Sequence, residues 1–235
     1  MVVSGITVQV VRKAIKNLHL GVYPPEGRVR IAVPLHINDD AVRLAVVDKL
    51  IWIRQRQAGF SKQPRQSQRE MVSGESHFFQ GKRYRLKVVE KNSKPSVQVK
   101  GMSTLALTVR PGTTTEKREA IINEWYRSEL KVILPGLLAK WEPVIGVKVI
   151  ETRIKKMRTR WGTCNIGAKR IWLNLELAKK PTSCLEYILI HEMVHILERR
   201  HNDHFKLLMD KFMPKWHIYR DELNSTTLAF ANWKY

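Results

Sequence analysis

Alternation of apolar and basic residues is the first pattern along the chain. Between Arg28 and Val33 every second residue is apolar, which predicts a strand with one wet face. A helix is predicted to begin at Asn38 or Asp39. Its apolar residues recur with helical spacing at Val42, Val46, Leu50 and Ile53. The polar stretch 55–70 is predicted to be a surface loop.

Further strands are predicted before the middle of the chain. Residues 78–88 read as a hairpin around Gln80-Gly81, and residues 97–99 and 105–109 add two strands. We therefore expect an α+β fold whose N-terminal region, residues 1–112, is rich in antiparallel β-structure. Pro111-Gly112 predicts the boundary to a second domain, residues 113–235.

The second domain begins with a long helical pattern. Thr113 and Glu116 resemble a capping box, and Pro135 is expected to kink or divide the helix. Strands are predicted at 146–150 and 171–177. Pro181, followed by Ser183 and Glu186, then predicts the start of another helix.

Two candidate metal ligands and the candidate catalytic residue lie on this last helix. His191 and His195 lie four residues apart with Glu192 between them, so on a helix the two imidazoles share one face. That spacing is typical of two zinc ligands accompanied by a general base. The apolar neighbours predict a buried segment, in which unpaired histidines would be costly.

A catalytic zinc usually takes three protein ligands and leaves one position open. Glu198, His201 and His204 are the candidates for the third ligand. Glu198 would continue the row on one helix and surround a tetrahedral ion poorly. Ligand geometry favours His201, because five intervening residues let the chain leave the helix and turn back. His204 stays open as the alternative.

Several segments together resemble the YgjP-like metallopeptidases, which are predicted zinc peptidases often linked with type I restriction–modification systems. The segments are MRTRWGTC at 157–164, IWLNL at 171–175, HEMVH at 191–195 and HNDHF at 201–205. The resemblance extends to residues 27–34 and 81–86. It implies a zincin-like metallopeptidase domain with an active-site helix, metal ligands at His191, His195 and His201, and a catalytic acid at Glu192.

The segment before the metal helix predicts a place for substrate. An extended peptide could add to a free sheet edge and gain main-chain hydrogen bonds. Arg160, Trp161 and Asn174 are the candidates for lining that groove. The alternative for each is structural: an ion pair, a core aromatic and a solvent-facing amide.

Charge and composition predict the kind of partner and the cellular location. The formal net charge is +21, an excess that favours polyanions such as nucleic acid. No apolar run approaches the ~18–20 residues of a membrane span, and the first 16 residues lack a secretion pattern. Cys164 and Cys184 are expected to be reduced thiols. We therefore expect a cytoplasmic protein without membrane contact.

These patterns predict a zinc-dependent metallopeptidase, with Zn²⁺ as cofactor and a protein or peptide as substrate. Two other classes stay open. One is a DNA-associated protease that docks through its basic surface, and the other is a non-catalytic zinc-binding partner of restriction–modification subunits.

Overall fold

A computed structural model describes residues 1–23, 26–62, 69–157 and 160–225. The described residues fall into two compact units, residues 1–62 and residues 69–225. Each unit has its own apolar core, and the two cores share no residue. No helix within the described ranges has the length and hydropathy that crossing a membrane requires.

The first unit is a four-stranded sheet followed by two helices. The strands are β1 (Val2–Val3), β2 (Ile6–Lys13), β3 (His19–Tyr23) and β4 (Arg28–Pro34), in the order β1-β2-β4-β3. Strand β4 carries the predicted alternation, and its Val29, Ile31 and Val33 side chains are fully buried. The helices are α1 (Asp39–Val47), capped by Asn38, and α2 (Leu50–Lys62). Helix α2 covers the first part of the segment predicted as a loop, and residues 63–68 of that segment lie outside the described residues.

The second unit begins with another four-stranded sheet. Its strands are β5 (Ser76–Phe79), β6 (Lys82–Glu90), β7 (Ser96–Lys100) and β8 (Thr104–Val109), in the order β5-β6-β8-β7. Helix α3 (Thr115–Ile145) follows and continues through Pro135. Of the two predicted effects of Pro135, a division of the helix does not occur. Residues at helical spacing anchor one face of α3 in the core and offset the hydrogen bond that proline lacks.

A three-stranded sheet and three helices complete the second unit. The strands are β9 (Glu151–Lys155), β10 (Gly162–Asn165) and β11 (Arg170–Asn174), in the order β10-β11-β9. A short 3₁₀ helix, Leu175–Lys179, leads to α4 (Thr182–Leu197), α5 (Asp203–Phe212) and α6 (Trp216–Ser225). The strand expected at 146–150 lies five residues later as β9. The alternating Val147 and Val149 are buried, but they belong to an irregular segment.

Two parts of the predicted architecture need correction. The sheets are mixed and not purely antiparallel, because β2 pairs in parallel with β4, β6 with β8, and β9 with β11. The boundary at residue 112 cuts through one core: Leu107 of β8 packs in the same cluster as Leu130 of α3 and Leu189 of α4. The units instead divide between residues 62 and 69.

The two four-stranded sheets are copies of one topology. In both, the first strand is antiparallel to the second, the second is parallel to the fourth, and the fourth is antiparallel to the third. The first turn in each has two positive φ angles, at Ser4-Gly5 and at Gln80-Gly81. Gly81 lies 76 positions after Gly5, the same interval that separates the helix cap Thr114 from the cap Asn38. We call residues 2–62 repeat 1 and residues 76–145 repeat 2.

Candidate active site

Helix α4 brings the histidine pair to the edge of the core. Leu185 and Leu189 on its inner side are fully buried, so burial of this face fixes how the helix is rotated. His191 and His195 lie one turn apart, with ring centroids separated by 4.9 Å. The helix ends at Glu198, whose φ of −135° and ψ of 113° turn the backbone into an extended conformation.

The turn after α4 returns a third imidazole to the pair. The Glu198 carboxylate accepts hydrogen bonds from the Arg200 N–H at 3.0 Å and from His204 Nδ1 at 3.3 Å. This pins the loop, and Asn202 then caps α5 by accepting from the Phe205 N–H. As a result the ligand atoms of His191, His195 and His201 lie within 4.8 Å of one another.

The structure therefore separates the three candidates for the third ligand. His201 faces the pair, with its Nε2 atom 3.0 Å from Nε2 of His191. His204 turns toward Glu198, and its side chain is 62% exposed. Among the described residues, Glu198 and His204 shape the loop and do not join the histidine cluster.

Ring orientation and protonation suit metal binding. The Nδ1–H of His195 donates to the Glu198 carbonyl oxygen at 3.1 Å, which leaves the Nε2 lone pair free. Burial lowers the pKa of His191 to about 3, with help from the positive charge that His195 and His201 would carry. Burial also lowers the pKa of His195. Neutral imidazole is the form that binds a metal.

Phe205 of α5 forms one wall of the cluster. It is buried, and its ring centroid lies 4.7 to 4.9 Å from the centroids of all three imidazoles. An apolar wall restricts the ring rotamers and keeps competing polar groups away. In the sequence analysis Phe205 is only the last residue of the segment HNDHF, and no role at the site was assigned to it.

Glu192 lies beside the histidines at the floor of a cleft. Its side chain is buried. Burial raises the pKa of its carboxyl to about 8, although the positive charge of Arg160 acts to lower this pKa. Gly162 of β10 packs directly on it, since a Cβ at that position would lie 2.7 Å from Glu192 Oε1 and 2.9 Å from Ile188 Cγ2. Only glycine leaves this space to the carboxylate. The sequence analysis missed this role, because it contains Gly162 only as part of the segment at 157–164.

The cleft has a volume of about 680 Å³. Strand β10 lies at the edge of its sheet, beside the cleft. Arg160 and Trp161 line the cleft, together with His191, Glu192, His195 and His201. The structure thus places two of the three predicted groove residues on the same surface as the histidine cluster.

The prediction that Asn174 lines the groove is wrong. It is fully buried, and its amide NH₂ donates to the carbonyl oxygens of Met157 and Arg160 at 2.9 and 2.8 Å. Its Oδ1 accepts from the N–H groups of Met157 and Glu176. Asn174 therefore holds the segment that carries Arg160 and does not line the groove.

The three imidazoles fit a zinc ion. Two nitrogens bound to one tetrahedral zinc at ~2.0–2.1 Å lie roughly 3.3 Å apart, close to the 3.0 Å between the Nε2 atoms of His191 and His201. Three histidine nitrogen donors with a fourth side facing a cleft are the pattern of catalytic zinc, whereas structural sites close all four positions with protein ligands.

A histidine cluster at the end of a buried helix, with a glutamate at the cleft floor, defines a metallopeptidase type of site. The sequence model of the family described as "YgjP-like, metallopeptidase domain" matches residues 16–226. The chain belongs to this family. A comparison with curated proteins finds no match.

Two solved structures are similar to part of the chain. One is the metallopeptidase zymogen abylysin of Pyrococcus abyssi, at 20% identity and a TM-score of 0.36, covering 38% of this chain and 90% of that chain. The other is the metallopeptidase zymogen jannalysin of Methanocaldococcus jannaschii, at 16% identity and a TM-score of 0.34, covering 38% of this chain and 91% of that chain.

Proposed function

We propose that this protein is a zinc-dependent peptidase with a zincin-like site that hydrolyses peptide bonds. The observation that carries the proposal is the convergence of three imidazoles from α4 and the following loop beside the buried carboxylate of Glu192. His191, His195 and His201 would hold the ion. A structural zinc site has no need of an acid beside it, so Glu192 favours catalysis.

The roles of the protein groups follow from their positions. When bound, zinc would supply a Lewis acid that polarises the scissile carbonyl and makes water more acidic. Glu192 accepts a proton from the attacking water and later delivers it to the leaving amine. Because Gly162 packs directly against Glu192, the carboxylate is confined on that side before substrate arrives.

Strand β10 offers the substrate a backbone to pair with. Within the described residues it pairs with β11 on one side only, so its other edge can take an extended peptide through main-chain hydrogen bonds. Such pairing aligns the peptide along the cleft without requiring a particular sequence. Side-chain preference then depends on the residues that line the cleft.

The decisive experiment compares Glu192→Gln with the wild type. We expect zinc content to be unchanged, since Glu192 is not a ligand, and peptide hydrolysis to fall by roughly 10²–10⁴-fold, as the loss of a general base predicts. Zinc content is measured by mass spectrometry of the purified protein, and hydrolysis with a fluorogenic peptide library. Retained activity in Glu192→Gln would refute the proposal.

The ligand set has a matched pair of variants. His201→Ala should lose bound zinc, whereas His204→Ala should keep it, because His204 contacts Glu198 and not the cluster. Zinc loss in both variants, or in neither, contradicts the assignment. A fully coordinated ion that supports no hydrolysis would favour the non-catalytic zinc-binding role instead.

A second candidate function adds docking on nucleic acid. Arg83, Arg85 and Lys87 alternate along the exposed face of β6, and Lys100 lies across the sheet in register with Thr104, the neighbour of Arg85. None of these four cations has an ion-pair partner among the described residues. A basic sheet face of this kind favours binding to the phosphate backbone of nucleic acid.

This docking can be tested separately from the chemistry. Changing the four cations to glutamine should weaken DNA binding and reduce its salt dependence, because each lost phosphate contact lowers the slope by roughly 0.9. Peptide hydrolysis without DNA should be unaffected. Unchanged DNA binding would remove this candidate. The association with restriction–modification subunits and the cytoplasmic location both stay predictions. Co-purification of the tagged chain with such subunits tests the association.

A further inference from the structure

The charged side chains on the walls of the cleft are cationic. Three arginines line it: Arg160 before β10, Arg199 after α4 and Arg220 on α6. The one acidic side chain among the lining residues is Glu192. Glu192 is buried at the floor, so the part of the cleft that meets solvent is cationic.

Two of these arginines have no carboxylate within ion-pair distance among the described residues, although the positive charge of Arg160 acts on the buried carboxyl of Glu192. Arg160 and Arg199 are exposed, and neither forms an ion pair within the described ranges. Other arginines of the same unit are neutralised: Arg118 pairs with Glu90, and Arg170 pairs with Glu151. The arginines at the cleft are therefore left to interact with whatever enters it.

The third arginine is held in a fixed position. The Nε atom of Arg220 pairs with Asp221, and its guanidinium lies over the ring of Trp216 at 5.1 Å. A guanidinium has five N–H donors, so one pairing leaves others free. Arg220 therefore adds a partly neutralised but oriented cation to the two free ones.

We propose that the cleft selects acidic peptides, with carboxylate side chains flanking the bond that is cleaved. This rests on the proposed peptidase function and adds its substrate class. Guanidinium groups bind carboxylates through two parallel hydrogen bonds, and a lysine or arginine of a substrate would meet like charge at the same positions. The backbone of β10 aligns the peptide, and the arginines choose among its side chains.

The overall charge of +21 makes a local control necessary, because a basic protein attracts any acidic peptide at low salt. Arg200 provides it. It is adjacent to Arg199 and is also exposed, but it does not line the cleft. Arg200→Gln and Arg199→Gln remove the same charge from neighbouring positions, so a difference between them reports on the cleft itself.

The test uses three otherwise identical fluorogenic peptides with Glu, Gln or Lys on both sides of the scissile bond. The readout is the ratio of kcat/KM for the Glu peptide to that for the Gln peptide, which cancels any general loss of activity. We expect wild type to prefer Glu about tenfold. Each of Arg160→Gln and Arg199→Gln should reduce the ratio about threefold, as exposed charge pairs usually contribute, and Arg200→Gln should leave it unchanged.

A binding measurement keeps this inference separate from the peptidase proposal. Zinc-loaded Glu192→Gln protein is titrated with labelled, uncleaved forms of the same peptides, and the arginine substitutions are repeated in that background. Stronger binding of the Glu peptide, reduced by Arg199→Gln and not by Arg200→Gln, supports the inference even if no peptide is hydrolysed. Absence of hydrolysis in wild type contradicts the peptidase proposal alone.

Three results would overturn the inference. Equal binding and turnover of the Glu and Gln peptides would show that the arginines do not select. An equal effect of Arg199→Gln and Arg200→Gln would assign the preference to overall charge. Displacement of the Glu peptide from the cleft by a DNA oligonucleotide of equal charge, at lower concentration than the peptide itself requires, would assign the arginines to nucleic acid.

Discussion

Repeat 1 and repeat 2 share one topology but differ in what their first turns contact. In repeat 2 the turn docks at the start of the active-site helix: the Gln80 and Gly81 N–H groups donate to the carbonyl oxygens of Ala178 and Lys179 at 2.9 and 3.2 Å. In repeat 1 the equivalent turn, Ser4-Gly5, is exposed to solvent. The same local structure thus supports a functional helix in one copy and ends at the surface in the other.

The helices of the two repeats also differ in length. Repeat 1 has two short helices, whereas α3 of repeat 2 is one helix of 31 residues. Two side chains of α3 reach the functional elements. Trp141 Nε1 donates to the Glu186 carboxylate of α4 at 2.6 Å, and an Arg127 guanidinium N–H donates to the Ile154 carbonyl oxygen of β9 at 2.7 Å. The long helix and the docked turn of repeat 2 therefore support the elements that carry the histidine cluster.

The largest expected effect comes from one substitution made at equivalent places. Val33 and Val109 lie 76 positions apart, and both are fully buried. Changing either to alanine should destabilise its own unit by about 2–3 kcal/mol, from lost apolar burial and the cavity left behind. Because the cores share no residue, Val33→Ala should leave α4 protected, and Val109→Ala should expose it.

Hydrogen exchange followed by mass spectrometry measures this, since it reports protection for each segment separately. The zinc content of both variants, measured during urea unfolding, is the functional readout. Val109→Ala should release zinc at lower urea than wild type does. If Val33→Ala released zinc equally early, the two repeats would be energetically coupled and the comparison would fail.

A second pair of variants tests the docked turn. Gly81 and Gly5 have nearly the same φ, 78° and 79°, so alanine costs about 1 kcal/mol at either position from backbone strain alone. At Gly81 the added Cβ would also lie 2.7 Å from Pro181 Cγ, whereas at Gly5 it meets no atom within 4 Å. We expect Gly81→Ala to cost about 2 kcal/mol and Gly5→Ala about 1 kcal/mol in denaturant unfolding. Equal costs would show that Pro181 yields without strain.

Low pH should destabilise the second unit more than the first. The buried residues described in residues 1–62 are all apolar, whereas the second unit buries His77, and burial lowers the pKa of His77 to about 3. An unfolded chain binds this proton near pH 6.5. Stability is therefore fully present above pH 6.5 and decreases as the pH falls toward 3, by about 1.5 kcal/mol between pH 6.5 and pH 5.

His77→Gln removes this proton uptake and keeps a polar side chain near Glu75. The variant should lose less stability than wild type between pH 6.5 and pH 5, in urea unfolding of the second unit. Both proteins keep His191, so the difference in slope isolates His77. Coincident slopes would mean that His77 is protonated in the folded protein well above pH 3.

The histidine cluster was largely predictable because its geometry is local. Helical spacing alone places His191 and His195 on one face, and five residues after His195 are enough for a turn that returns His201. No long-range pairing had to be known. Gly162 and Phe205 were missed for the opposite reason: each touches the site through tertiary packing, and a single glycine or phenylalanine in a sequence does not show what it packs against.

The sheets were harder to predict for a related reason. Alternation locates strands such as β4, but it does not show which strand pairs with which, so the parallel pairs were missed. The repeat was also hidden, because equivalent core positions hold residues of different size, such as Val8 and Tyr84. Asn174 was misplaced because an amide at a strand end looks the same in sequence whether it faces solvent or binds buried backbone.

The predicted caps of α1 and α3 were close to correct, and substitutions at these caps have the smallest expected effect. Asn38 was one of two predicted caps of α1, whereas α3 is capped by Thr114, one residue after the predicted Thr113. Asn38 Oδ1 accepts the Ala41 N–H at 2.9 Å, but Thr114 Oγ1 accepts the Lys117 N–H at only 3.4 Å. Since hydrogen bonds weaken with distance, we expect Asn38→Ala to cost about 1 kcal/mol and Thr114→Ala about 0.5 kcal/mol.

The cap prediction has a conservative control in each repeat. Asn38→Asp and Thr114→Ser keep an oxygen acceptor at the cap, so both should retain wild-type stability within a few tenths of a kcal/mol. Hydrogen exchange in the first turn of α1 and of α3 gives the two costs separately. A larger loss for Thr114→Ala than for Asn38→Ala would mean that the long α3 depends on its cap more than the short α1 does. Tertiary packing along α3 makes the reverse the expected result, because most of the stability of a helix in a protein comes from its packed face.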